Sequence, residues 1–164
     1  MDKLWAPWRV KYIHLLQEQK KKKCIFCAML KEKNDRKNFI VARRPYAFSV
    51  LNIYPYNNGH LLIVPYRHVS DLRKLRREER EDLFELLIQT QQLVDQTLAP
   101  GGYNIGINLG KIAGAGFPGH LHIHLVPRWR GDVNFMPTIA NTKIISQSLK
   151  TLYQRLRACA IEKN

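Results

Sequence analysis

The sequence predicts an α+β fold: an antiparallel sheet of about five strands with one long helix and a C-terminal helix. Short apolar segments separated by turn residues lie on both sides of one long stretch of helical periodicity. The turns between the early segments are too short for crossover helices, which favours antiparallel pairing. The length of 164 residues suits one domain, and 45% hydrophobic with 24% charged residues is typical of a globular chain.

Strands are predicted where apolar runs end at turn residues. The five segments are 39–43, 46–52, 60–65, 103–109 and 120–127. Arg44-Pro45 separates the first two strands. Pro65 closes the third, because proline lacks the amide hydrogen that continues a ladder. A glycine-rich loop over 110–119 precedes the last strand.

Helices are predicted from apolar residues that recur every three or four positions. The long helix covers about Glu78–Leu98, with acidic residues in its first turn, where the helix dipole favours them. Pro100-Gly101-Gly102 predicts its end. The final helix covers about 142–160, with Cys159 on its apolar stripe and therefore expected in the core. A short helix over 10–19 is also predicted.

The chain is strongly basic, with a net charge of +14, and residues 1–44 hold 13 basic against 4 acidic residues. Such a surface attracts anions, whether nucleic acid, nucleotides or acidic lipid, and the charge alone does not choose among them. We divide the chain into a basic N-terminal segment, 1–23, and a single domain, 24–164.

No apolar run approaches the roughly 18–20 residues of a membrane span, and the N-terminus does not have the pattern of a secretory signal. We therefore expect a cytoplasmic protein that does not engage membranes. The 3 cysteines are an odd number, which argues against a disulfide framework.

The strongest functional signal is the row His120, His122 and His124. Side chains alternate between the faces of a strand, so the three imidazoles share one face. The positions between them are apolar: Leu121, Ile123 and Leu125. Two chemistries fit this row, a metal site and nucleophilic attack by a neutral imidazole on phosphorus. The glycine-rich loop next to the strand favours phosphate, because its backbone N–H groups are open to anionic oxygens.

These segments resemble the histidine triad (HIT) family of nucleotide hydrolases and transferases, in the branch of the bacterial diadenosine tetraphosphate phosphorylases and fragile-histidine hydrolases. The matching motifs are HLHIHLVPR at 120–128, LNIYPYNNGHLLIVPYRHV at 51–69, YNIGINLGKIAGAG at 103–116 and WRGDVNFMP at 129–137. The resemblance covers roughly residues 24–157. It implies the HIT-like fold, an adenine dinucleoside polyphosphate as substrate and a homodimer.

The resemblance also implies roles for individual residues. His122 would attack the α-phosphorus and carry a nucleotidyl intermediate, His124 would contact the phosphates, and His60 would support the triad from behind. Asn52 matches a ribose-binding position and Asn108 a phosphate-binding one. The base is expected to lie against three apolar side chains: Phe26, Phe48 and Leu51.

The glycine-rich loop departs from the family pattern. Many members carry Gln, Ser or Thr there, whereas residues 115–119 read AGFPG. Phosphate contacts are therefore expected from the backbone N–H groups of Gly114, Ala115 and Gly116. The missing polar side chain leaves open whether water or inorganic phosphate resolves the intermediate.

Cys24-x-x-Cys27 has the spacing of half a zinc site, although a lone pair of this kind also fits redox chemistry or two buried thiols. The resemblance to zinc-bearing family members supplies the other two ligands, His68 and His120. It implies a structural Zn²⁺, because four protein ligands leave no open position.

Other functions remain open at this point. Lys20–Lys23 and the cluster at 73–80 could make the chain a zinc-stabilised nucleic-acid-binding module. A metal held by the three triad histidines would give a metallohydrolase. In the long helix, Phe84, Leu87 and Ile88 widen the apolar stripe, which suits either a two-fold dimer or the core.

Overall fold

A computed structural model of the chain describes residues 24–132 and 145–161. Its helices are α1 (Ile25–Glu32), α2 (Asp35–Asn38), α3 (Arg77–Leu98) and α4 (Leu149–Ile161), with a 3₁₀ turn at Leu72–Lys74. Its strands are β1 (Ile40–Arg43), β2 (Ala47–Leu51), β3 (Leu61–Pro65), β4 (Gly102–Gly106) and β5 (Ile123–Arg128). The α+β class is confirmed. The predicted helix over 10–19 and the basic segment 1–23 lie outside the described residues.

The five strands form one sheet in the order β1-β2-β3-β5-β4, and every neighbouring pair is antiparallel. The first three strands follow one another as a meander. The chain then passes through α3 and β4 before β5 inserts between β3 and β4. The histidine-bearing strand is therefore interior, with partners on both sides.

The two faces of the sheet pack against different helices. Leu61, Ile63 and Leu125 belong to the main core, which the sheet shares with α3 and α4. Leu62 and Val64 point to the opposite face, where α1 adds the fully buried Phe26 to a smaller apolar cluster. His122 and His124 alternate with main-core residues, so they lie on the α1 face.

All five strands are shorter than predicted, and the changes in β5 and β4 lie beside the histidine row. β5 begins at Ile123, because the Leu121 N–H donates to the Val69 carbonyl in the loop after β3 instead of joining a ladder. β4 ends at Gly106, which pairs with His124, one residue short of the start of β5 at Ile123. Residues 107–109 are consequently irregular.

The helices differ from prediction at two places. α4 starts at Leu149 rather than near 142: Ser148 Oγ accepts the Thr151 N–H at 3.2 Å, and 145–148 form no helix. α1 and α2 were not predicted, since eight and four residues are too few for a clear periodicity. Across the described ranges, none of the helices has the length and apolarity that a bilayer crossing requires.

Gly59, in the turn between β2 and β3, is held in a conformation that favours glycine. Its φ is +73°, and an added Cβ would lie 2.7 Å from Leu98 Cδ1 and 3.1 Å from Pro127 Cγ. We expect Gly59→Ala to lower the free energy of unfolding by about 2–4 kcal/mol, from strain together with the clash. Urea denaturation measures this change.

Gly102→Ala is the matched control, because a Cβ at Gly102 meets no atom of the described residues within 4 Å. This variant should change the stability by less than about 1 kcal/mol. An equal decrease in the free energy of unfolding of the two variants would contradict the strain and clash described for Gly59.

Candidate active site

Four potential metal ligands from separate parts of the chain meet beside α1. Cys24 precedes the helix, Cys27 lies in its first turn, His68 follows β3, and His120 precedes β5. Their ligand atoms all lie within 4.8 Å of one another. The Cys24 Sγ–His120 Nδ1, Cys27 Sγ–His68 Nδ1 and Cys27 Sγ–His120 Nδ1 distances are 3.3, 3.4 and 3.7 Å. The structure thus brings the predicted set together.

The spacing and the chemistry of this cluster fit a metal ion. In a tetrahedral zinc site, bond lengths near 2.3 Å to sulfur and 2.0–2.1 Å to nitrogen put neighbouring ligand atoms about 3.3–3.8 Å apart. His120 Nε2 lies 2.9 Å from the Pro65 carbonyl, so this nitrogen donates and Nδ1 keeps its lone pair toward the sulfurs. An outer hydrogen bond of this kind is how proteins orient a metal-binding imidazole.

His122 is held as a neutral imidazole in one tautomer. Its Nδ1 lies 2.9 Å from the His120 carbonyl oxygen, which only accepts, so Nδ1 carries the proton. The lone pair therefore resides on Nε2. His122 is 6% exposed, and burial lowers its pKa, which keeps the ring neutral at pH 7.

His60 and His124 form a hydrogen-bonded pair whose proton positions follow from their neighbours. The Tyr56 N–H and the Asn52 amide donate to His60 Nδ1 at 3.0 and 3.3 Å. His60 Nε2 must then carry the proton, which it donates to His124 Nδ1 at 2.9 Å. His124 consequently bears its own proton on Nε2.

The His124 Nε2–H group is buried and finds no hydrogen-bond partner among the described residues. Burial lowers the pKa of His124 to about 4, so the ring remains neutral at pH 7. The two neighbouring triad histidines thus present opposite groups, a lone pair on His122 Nε2 and an N–H on His124 Nε2. A nucleophile next to a hydrogen-bond donor suits displacement at phosphorus.

Both of these histidines line a small pocket of about 100 Å³. Its other walls come from α1, the β2–β3 turn and the glycine-rich loop: Ile25, Phe26, Asn52, Ile53, Tyr54, Tyr56, Leu62, Gly116 and Phe117. The Tyr56 ring stacks on His124 with 5.5 Å between ring centroids. Sequence reasoning missed Tyr56 and Phe117, although aromatic residues flanking turns beside the motif were the available signal.

The predicted substrate-binding residues are placed unevenly around this pocket. Asn52 lines it, but its amide already donates to His60 and its Oδ1 accepts the Tyr54 N–H at 2.9 Å. Asn108 lies in the irregular segment after β4. The N–H groups of Gly114 and Ala115 donate to carbonyls within their own loop. Gly116 is the member of this trio that lines the pocket.

The expected base-binding residues divide between the two faces of the sheet. Phe26 lines the pocket. Phe48 is fully buried behind it in the α1-side cluster, whereas Leu51 belongs to the main core on the opposite face. Ile25 and Leu62 are the aliphatic side chains that line the pocket beside Phe26, together with Ile53.

The basic cluster at 73–80 is exposed and partly neutralised. Arg73 pairs with Asp71 at 2.6 Å and Arg77 with Glu81 at 2.7 Å. Lys20–Lys23 lie outside the described residues.

Comparisons with known proteins identify the family of this chain. The HIT domain family profile matches residues 33–131. The AP-4-A phosphorylase of Mycobacterium tuberculosis is 36% identical over 155 residues, which cover 92% of this chain and 80% of the relative. The asymmetrical bis(5'-nucleosyl)-tetraphosphatase of Schizosaccharomyces pombe is 34% identical over 90 residues, which cover 55% of this chain and 49% of that enzyme.

Solved structures have the same fold. A zinc-bound histidine triad family protein of Mycobacterium smegmatis superposes with a TM-score of 0.68 at 23% identity, over 86% of this chain and 95% of that chain. A hypothetical histidine triad nucleotide-binding protein of Sulfolobus tokodaii gives 0.69 at 20% identity, over 85% and 93%. With the family profile spanning most of the chain and a relative above 30% identity, the chain belongs to the HIT family, whose members include nucleotide-processing enzymes.

Proposed function

We propose that this protein is a nucleotidyl transferase or hydrolase that cleaves dinucleoside polyphosphates of the diadenosine tetraphosphate kind, with His122 as the nucleophile. The observation that carries the proposal is the pair of tautomers at the pocket, a lone pair on His122 Nε2 beside a proton on His124 Nε2. The relatives named as a phosphorylase and a tetraphosphatase of such nucleotides support the substrate class.

The reaction has two steps. His122 Nε2 attacks the α-phosphorus and forms a P–N bond, while the bond from that phosphorus to the bridging oxygen breaks and its electron pair leaves with the polyphosphate. His124 Nε2–H donates a hydrogen bond to that oxygen as its negative charge develops. An oxygen of phosphate or water then attacks the phosphorus, the P–N bond breaks, its electron pair returns to Nε2, and an attacking water releases its proton to the solvent.

Binding roles follow the same proposal. The phosphates would meet the open N–H of the glycine-rich loop, with Gly116 best placed by its position at the pocket. Asn108 would contact phosphate and Asn52 ribose. Because the Asn52 amide already donates to His60, a ribose contact would add to its orienting role.

We further propose that the Cys24, Cys27, His68 and His120 cluster holds a structural Zn²⁺. The tetrahedral spacing and the four protein ligands support this assignment, as does the zinc-bound relative from Mycobacterium smegmatis. Since His120 Nδ1 faces the two sulfurs, a metal shared by the three triad histidines has less support.

A homodimer is also part of the proposal. On α3, Leu87 is in the core, whereas Phe84 and Ile88 are 60% and 47% exposed. Two adjacent apolar side chains on the outer face of one helix are typical of a self-complementary contact.

A product assay tests the proposed activity. The protein would be incubated with diadenosine tetraphosphate, with and without inorganic phosphate, and the nucleotides separated by chromatography. ADP plus ATP formed only with phosphate identifies a phosphorylase, and AMP plus ATP without it identifies a hydrolase. We expect the phosphate-dependent products, because the phosphorylase relative matches over nearly the whole chain. No turnover under either condition would contradict the proposal.

A further inference from the structure

A buried amide links the turn that carries His60 to the segment after the triad. Asn57, 6% exposed, donates from Nδ2 to the Pro127 carbonyl at 3.0 Å and to Asp132 Oδ2 at 2.7 Å. The main-chain carbonyl of Asn57 accepts the His60 N–H at 3.3 Å. One side chain therefore fixes the His60 turn against the end of β5, the strand that carries His124.

Asp132 is the acceptor at the centre of this arrangement. Its carboxylate also accepts from Arg128 Nε at 2.6 Å, Arg128 Nη2 at 2.9 Å and the Trp129 N–H at 3.1 Å. The Asp132 side chain is 8% exposed. The hydrogen-bonded Arg128 guanidinium holds the pKa of this carboxyl well below its usual range. Asp132 is therefore a fixed anion that closes the turn after β5.

Both histidines of the His60–His124 pair are thus connected to the Asp132 carboxylate. The turn of His60 is connected through the hydrogen bond from Asn57, and His124 is connected through β5, whose last residue, Arg128, donates to the same carboxylate. The hydrogen bond between the two rings spans 64 positions of the chain, so its geometry depends on how these distant segments are held together. None of the roles assigned above to pocket residues involves Asn57 or Asp132.

We propose that Asp132 and Asn57 are positioning residues that set the His60–His124 hydrogen bond, and through it direct the His124 Nε2–H toward the substrate. The catalytic half of this inference rests on the proposed function. The positional half concerns only the tautomers of the two rings and stands without it. Neither residue touches the reacting atoms.

The test uses Asp132→Asn, which keeps the shape of the side chain, and Asn57→Ala. In Asp132→Asn a neutral amide replaces a carboxylate that accepts four hydrogen bonds, three on Oδ2 and one on Oδ1, so its NH₂ group faces a donor in either orientation. We expect kcat to fall roughly 10–100-fold with KM nearly unchanged, because a misdirected N–H weakens the transition state more than binding. The kcat of the double variant should be little lower than that of Asn57→Ala alone, since both substitutions act through the hydrogen bond between Asn57 and Asp132.

Nitrogen-15 NMR of the histidine rings supplies the readout that general destabilisation would not produce. In the wild type, His60 and His124 should each be a single Nε2–H tautomer. In both variants, His124 should become a mixture of tautomers, while bound zinc and the His122 tautomer stay unchanged. If one of the two variants fails to fold, the His124 tautomers of the other variant provide the same test.

Asn104→Ala is the matched control. Asn104 Oδ1 accepts from Arg128 Nη1 at 2.7 Å, so this variant removes a hydrogen bond from the same guanidinium without touching Asn57. It should keep the wild-type tautomers and kcat. Wild-type tautomers in Asp132→Asn and Asn57→Ala, or the same disturbance in Asn104→Ala, would overturn the inference. A wild type inactive on nucleotides would refute the proposed function and leave the NMR result to decide the positional claim.

Discussion

Replacing His122 with alanine should abolish turnover of dinucleoside polyphosphates while the fold survives. Removal of a nucleophile that forms a covalent intermediate costs roughly 10⁴- to 10⁶-fold in kcat. The side chain lies at a pocket wall and its Nδ1 makes one hydrogen bond to a backbone carbonyl, so its loss leaves the sheet intact. Initial rates of product formation measure the effect.

Trapping of the intermediate makes this prediction specific. After rapid mixing with substrate and acid-free denaturation, mass spectrometry should find a nucleotidyl group on His122 in the wild type and none in His122→Ala. His124→Ala gives the contrast, since it keeps the nucleophile and loses only the donor, and it should form the adduct about 10²- to 10⁴-fold more slowly. Thermal unfolding and zinc content check the fold of each variant. Substantial turnover by His122→Ala would exclude His122 as the nucleophile.

Loss of the proposed zinc ion should destabilise the protein by several kcal/mol. Structural zinc contributes about 10–16 kcal/mol to the folding of zinc-finger peptides, which sets an upper bound for a domain that also has its own core. The two cysteines flank Phe26, whose ring centroid lies 5.2 Å from that of His120 and 5.4 Å from that of His122. Release of α1 would therefore uncover one face of the sheet and open a wall of the pocket.

Cys27→Ala and Cys159→Ala form the pair that tests this expectation. Cys159 is half-buried, and its Sγ donates to Gln96 Oε1 at 3.4 Å, away from the cluster. Cys159→Ala should retain one zinc per chain and unfold near the wild-type temperature. Cys27→Ala should bind little zinc by elemental analysis and unfold at a markedly lower temperature, as should the wild type treated with a chelator. Full zinc content and stability in Cys27→Ala would refute the assignment.

Much of this architecture could be predicted from local patterns. The alternation of His122 and His124 with leucine and isoleucine fixed the face on which the imidazoles lie, because a strand has a period of two. The long helix was predicted to within one residue of its observed start at Arg77, since acidic residues crowd its first turn and Pro100-Gly101 follows its end.

The remainder depends on contacts between distant segments. β4 ends at Gly106, paired with His124, although the apolar pattern of the sequence continues through Ile107 and Leu109. The tautomers of His60 and His124 depend on which carbonyl or amide lies against each ring. The Cys24-x-x-Cys27 spacing suggested half a metal site, but its two histidine ligands required either a family resemblance or the folded chain.

The position of β5 inside the sheet has a consequence for the order in which the chain can fold. The β1–β3 meander is built from strands that are neighbours in sequence. The next pairing joins β3 to β5, as at Leu61 and Leu125, and needs strands that are far apart in the chain. Closing so long a loop is entropically costly and slow. Among the described strands, β4 is made earlier than β5 but has β5 as its one partner. A growing polypeptide on the ribosome therefore cannot place His124 against His60 until β5 has emerged, and the proposed site forms together with completion of this sheet.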